Sequence, residues 1–119
     1  FIKTKSYVEK VKSKIVFADE KIQKALEKLK NSKTEDKKLY QWIIRAFEDL
    51  EENAFCGIQI PKKLFPKSYT AKHDPDNLWK YNLPNAWRLI YTVANDKVCV
   101  LSIVLEWMSH KDYERRFKY

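Results

Sequence analysis

The run "NLWKYNLPNAWRLIYTVANDKVCVLSIVLEW" (77–107) constrains the fold more than any other part of the chain. It contains three segments, "NLWKYNL", "AWRLIYTV" and "KVCVLSIVLEW", rich in β-branched and aromatic residues and separated only by "PN" and "AND". Connections this short give hairpins, so the three form an antiparallel meander over 78–107. The last is apolar on both faces, as a central or doubly covered strand is. Alternation puts Trp79, Tyr81 and Leu83 on one side of the first segment, with Lys80 and Asn82 on the other. In the second, Trp87, Leu89, Tyr91 and Val93 lie together, opposite Arg88, Ile90 and Thr92.

Ahead of this run the spacing is helical. "KIVFA" (14–18) reads as a short strand, and Asp19 is placed to cap a helix whose Ile22, Ala25, Leu26 and Leu29 form one apolar stripe. Ser32 and Glu35 form a candidate capping box for a second helix, in which Leu39, Ile43, Ala46, Phe47 and Leu50 recur at spacings of three and four before it ends near "ENAFCG". The helical half spans about 18–53. All four prolines, Pro61, Pro66, Pro75 and Pro84, follow it, so 57–77 is expected to be an irregular connection with short turns. A short helix over 109–117 ends the chain.

The whole of 1–119 is thus one α+β domain: an antiparallel sheet, two N-terminal helices packed on one face and a short C-terminal helix. Two helices cover one face only. The other is expected to be partly solvated, and the charged residues on it, Lys80 and Arg88 above all, are candidates for function.

Charge narrows the partners. A formal net charge of +8 favours a polyanion, nucleic acid first and an acidic protein or anionic surface next. With 45% hydrophobic and 14% aromatic residues the chain is not a disordered basic tail. Cys56 and Cys99 have no Cys or His at metal-ligand spacing, so no metal is expected; both are expected to pack as small apolar residues in a reduced, cytoplasmic protein. No apolar run is long enough to span a bilayer, and "FIKTKSYVEK" lacks the apolar core of a signal peptide. The first residue is Phe1 rather than Met, and residues upstream of it are expected.

The ending "HKDYERRF" (110–117) puts His110, Tyr113 and Phe117 on one side of a helix, with Lys111, Arg115 and Arg116 around it. The bland reading makes Tyr113 and Phe117 a buried stripe, His110 inconsequential, and Arg88 the partner of a carboxylate such as Glu106. The chemical reading assembles an imidazole, a phenol and several cations behind the strand beside Arg88. Those groups suit RNA cleavage through the 2′-hydroxyl: a base removes its proton, an acid protonates the leaving 5′-oxygen, and cations stabilise the phosphorane. Tyrosine would donate a proton or stack a splayed base. Spacing alone does not divide these roles.

On these residues the chain resembles the RelE/ParE toxin superfamily, particularly its archaeal RelE-like and HigB-like members. The stretch "NLWKYNLPNAWRLIYTVANDKVCVLSIVLEWMSHKDYERRF" is similar to their C-terminal half: a basic strand, a turn, an "x-R-L-I-Y" strand, a hydrophobic strand and a final "H-x-x-Y" cluster. The resemblance implies a RelE-like fold and the toxin of a type II toxin-antitoxin pair. RelE-branch members cut mRNA in the ribosomal A site, whereas ParE-branch members inhibit gyrase; a non-catalytic RNA- or ribosome-binding protein is a further alternative. It implies Arg88 at the scissile phosphate, Lys80 as the basic residue of the preceding strand, and His110 and Tyr113 as the terminal cluster. Arg116, with Arg115, Lys111, Lys62 and Lys63, would bind RNA. The implied partners are mRNA, the ribosome and a cognate antitoxin, with no cofactor. The chain departs from the family pattern in its long second helix and in "GIQIPKKLFPKSYTAKHDPD" (57–76), whose Lys62, Lys63, Lys67 and Lys72 would touch ribosomal RNA or simply be solvated.

Overall fold

The computed structural model describes residues 10–96 and 99–117. The order of elements is β1 (Lys14–Phe17), α1 (Glu20–Lys30), α2 (Asp36–Glu52), β2 (Ile58–Ile60), α3 (Lys67–Lys72), β3 (Leu78–Asn82), β4 (Arg88–Asn95), β5 (Val100–Met108) and α4 (His110–Phe117). Single 3-10 turns occupy Lys62–Leu64 and Pro84–Ala86. The segment read for a leader and the expected start of the last strand at Lys97 lie outside the described residues, Lys10 excepted.

The meander is present, but within a larger, mixed sheet of order β1-β5-β4-β3-β2. β1 runs parallel to β5, with Val16 opposite Ile103, so the sheet is not purely antiparallel. Chain length permits the parallel pairing: between β1 and β5 lies nearly the whole domain, ample for a crossover. The connection at 57–77 is also more regular than its prolines suggest. It holds β2, which pairs antiparallel with β3 through Ile58 and Lys80, and then α3. Pro61 and Pro66 stand immediately before the 3-10 turn and α3, at positions where a missing N–H breaks no hydrogen bond.

Each sheet face has its own core. On one, Leu39, Ile43, Ala46, Phe47 and Leu50 of α2 pack against Leu83, Leu89, Tyr91 and Val104. All five expected α2 positions are buried. Truncating one, such as Ile43→Ala, removes about 2–5 kcal/mol. Asp19 caps α1 through Oδ1, which accepts the Ile22 N–H at 3.1 Å. α1 is peripheral, however: Ile22, Leu26 and Leu29 are half-buried and Ala25 is exposed. The Ser32–Glu35 capping box does not form. Ser32 Oγ pairs with Thr34 Oγ1 at 2.8 Å, and Glu35, in helical backbone geometry, makes no side-chain cap.

The second face is covered rather than solvated. Tyr113 and Phe117 of α4 pack with Ile60, Tyr69, Leu78, Ile90, Leu105 and Met108. A register irregularity in the β4–β5 ladder makes this possible: Ile90 lies opposite Glu106 but Tyr91 lies opposite Val104, leaving Leu105 as an extra residue. Such a bulge turns Leu105 and Glu106 to the same side, toward α4 and α3. Cys99 is half-exposed, and Cys56 is exposed rather than packed inside.

Candidate functional site

Lys80 and Arg88 point from the α4 face of β3 and β4, one residue row apart: Lys80 pairs with Ile90, and Arg88 pairs with Asn82 and Met108. α4 begins two residues after β5 ends, so its first turn is delivered to the same corner of the sheet. Arg88 Nη2 lies 3.3 Å from His110 Nδ1. Lys80 Nζ stands 4.9 Å from the centroid of the Tyr113 ring, and Arg88 Cζ stands 5.5 Å from it. Four residues separated in sequence by up to 33 positions therefore form one cluster, with two cations over one aromatic ring.

The contacts assign a tautomer. A guanidinium only donates, so Nδ1 of His110 accepts, and the ring proton of the neutral imidazole sits on Nε2. That nitrogen is 3.3 Å from Glu114 Oε2, one helical turn onward. Glu114 was not singled out in the sequence, although its place four residues after His110 is a readable signal. A carboxylate there orients the ring.

Arg88 is poorly satisfied. It donates to the Trp87 carbonyl and the imidazole at 3.3 Å each, and its buried Nε has no hydrogen-bond partner among the described residues. Nor does it pair with Glu106. That carboxylate accepts the Tyr69 hydroxyl and Arg116 Nη1, the latter at 2.6 Å. A guanidinium with long, neutral acceptors and no carboxylate among the described residues is suited to an incoming oxyanion.

Tyr113 does not fit the role of stacking a base. It is 1% exposed, its ring stacked on Phe117 at a 4.5 Å centroid separation and flanked by the two cations. It belongs to the buried stripe and forms the platform that positions Lys80 and Arg88. Its partner Phe117 also meets Tyr69 edge-on at 5.7 Å. Burial, and the Glu106 carboxylate beside it, push the Tyr69 hydroxyl far above the ordinary tyrosine range.

The proposed RNA-binding cations divide. Arg116 is tied to Glu106 and clamps the end of α4 to the sheet; Arg115 is 71% exposed and pairs with Asp112 at 3.2 Å. Lys111, Lys62 and Lys63 are exposed. Lys62 and Lys63 face different hollows, one beside Asp76 and Asn77, the other beside the end of α4. A cleft of about 400 Å³ lies elsewhere, between α1 and α3, with Asp19, Lys72, His73 and Arg116 on its walls. Its mixed charge makes it a poor centre for phosphate chemistry.

Among the described residues no group of three or more His, Cys, Asp or Glu is arranged to hold a metal ion, and no helix is long and apolar enough to cross a membrane. Comparisons of the chain with family models, curated proteins and solved structures give no match.

Proposed function

We propose that the chain is an endoribonuclease of the RelE type, the toxin of a toxin-antitoxin pair, cutting mRNA on the ribosome by attack of a 2′-hydroxyl. The observation that carries this reading is the contact between Arg88 and His110, with Lys80 beside them on the Tyr113 platform. The α+β architecture and the basic charge are compatible with it.

In this mechanism the scissile phosphate draws the Arg88 guanidinium off Nδ1, because an anionic oxygen is the better acceptor. The freed Nδ1 lone pair takes the 2′-hydroxyl proton, and Glu114 stabilises the imidazolium that forms. The 2′-oxygen bonds to phosphorus while Arg88 and Lys80 stabilise the added negative charge. The bond from phosphorus to the 5′-oxygen then breaks, and that oxygen takes a proton from the imidazolium or from water. The products are a 2′,3′-cyclic phosphate, open to hydrolysis to a 3′-phosphate, and a 5′-hydroxyl. An acidic antitoxin segment would silence the site by occupying Arg88 and Lys80.

A second reading, a binder without cleavage such as a ParE-like gyrase inhibitor or an RNA- or ribosome-binding protein, is favoured by one observation. Both nitrogens of His110 already have partners within the chain, which is what a purely structural histidine would show. Product analysis separates the two. Purified protein added to programmed ribosomes and to free RNA is expected to give discrete cuts ending in 2′,3′-cyclic or 3′-phosphate, unchanged by EDTA. Intact RNA in both settings would favour the binder.

A further inference from the structure

A second basic feature lies at the far end of α4. Lys63, Lys67, Arg115 and Arg116 line one open groove of about 480 Å³ between the 3-10 turn with the start of α3 and the last turn of α4. Leu64 and Phe117 contribute apolar wall, and no acidic residue lines it. Two of the four cations are partly neutralised, Arg116 by Glu106 and Arg115 by Asp112. The Arg115 pair is exposed and easily exchanged for another anion. Lys63 and Lys67 make no ion pair among the described residues.

The groove and the Arg88 cluster share α4. His110 opens the helix and Arg116 lies six positions on, about 9 Å along the axis at the α-helical rise. Six positions also turn about 240° around the axis, so a single strand passing the cluster reaches the groove by wrapping part of the way around the same helix. Flexible ammonium groups above a partly apolar wall, with no fixed array of acceptors, suit backbone phosphates rather than base edges.

We propose that this groove is a second phosphate subsite, holding the backbone of the same single RNA strand whose scissile phosphate lies at Arg88 and His110; it rests on the nuclease reading for the identity of that strand. Continuity with the cluster along one helix favours RNA over an acidic peptide. The subsite binds without base preference and supplies affinity rather than chemistry. It is built from the proline-bearing connection, so that segment is part of the binding surface and not only a buttress for the helices.

The test uses a labelled single-stranded 2′-O-methyl RNA about ten nucleotides long, which cannot be cut, with binding followed by fluorescence anisotropy across a salt series. Lys63→Gln with Lys67→Gln should weaken binding and lower the slope of log affinity against log salt by about 1.4, from about 0.7 per released phosphate contact. The control pair Lys24→Gln with Lys28→Gln, exposed on α1, should leave the slope unchanged. All four are exposed, so folding should survive. An unchanged slope in the Lys63 and Lys67 variant overturns the proposal, as does failure of the parent to bind this RNA at low salt. Loss of binding to polyglutamate but not to RNA would assign the groove to an acidic protein partner instead. Because the probe is uncleavable, the subsite and the nuclease reading fail separately: intact RNA in a cleavage assay with a reduced slope here sinks only the latter.

Discussion

Tyr69→Phe tests whether α4 is held on the sheet by the Glu106 network. The ring is 4% exposed and keeps its edge contact with Phe117 in the variant, so the substitution removes one hydroxyl and little else. That hydroxyl donates to the carboxylate oxygen that also receives Arg116 at 2.6 Å. A hydrogen bond to a charged acceptor is worth about 1.5–3 kcal/mol. For 119 residues the unfolding entropy is about 0.25 kcal/mol/K, so each kcal/mol moves Tm by about 4 °C. The expected fall is thus about 6–12 °C, and nearer the lower bound because the Glu106 side chain keeps 29% of its exposure and water can replace the lost donor. Thermal melts of Tyr69→Phe, Arg116→Met and the double variant give the coupling, expected above about 0.5 kcal/mol since both donors meet one oxygen. A Tm within about 2 °C of the parent, with no coupling, would refute the clamp.

Tyr113→Phe should keep most activity, because the ring that carries Lys80 and Arg88 remains; Tyr113→Leu should lower single-turnover cleavage by about 5–900-fold, the equivalent of two cation–π contacts at about 0.5–2 kcal/mol each. A collapse in Tyr113→Phe alone would make the phenol a proton donor after all. Gly57→Ala should be strongly destabilising in denaturant melts, since an added Cβ would lie 2.6 Å from the Lys80 carbonyl oxygen and 2.7 Å from the Tyr91 hydroxyl, which itself is fixed by the Ala54 carbonyl at 2.9 Å. Wild-type stability there would mean that this backbone yields freely. Tyr81 is pushed up to about 12, by burial first and then by its hydrogen bond to Asp49. A raised folded value means that the native state keeps a proton the unfolded chain has lost, so this contribution is intact below about pH 10 and disappears as pH rises toward 12. Alkaline melts of Tyr81→Phe should therefore decline less steeply than the parent between those values, and identical curves would contradict the assignment.

Much of the framework can be read from local pattern. The α2 stripe is legible because five apolar residues at helical spacing have only one consistent face, and the facing of Lys80, Arg88 and Ile90 follows from strict alternation in two short strands. What is not legible depends on non-local pairing. β2 is three residues long and is a strand only because β3 lies beside it; β1 finds β5 across most of the chain. The burial of Leu105 on the second face rests on the bulge there, which no periodicity announces, and Glu106, opposite Ile90, meets Tyr69 and Arg116 rather than Arg88. The cluster itself is half legible. His110 and Arg88 do meet, as their sequence positions suggest, but Tyr113 serves as a buried platform because Phe117 and two cations close over it. Glu114 enters only when the ring orientation of His110 is known.

The central claim is that Arg88 and His110 form one phosphate site, and single-turnover cleavage of ribosome-bound mRNA by the parent, Arg88→Ala and His110→Ala tests it most directly. Discrete cuts by the parent, slowed about 10²–10⁴-fold in each variant while both remain folded, is the result predicted. Cutting that persists at the parental rate in either folded variant, or no cutting by the parent, would contradict it.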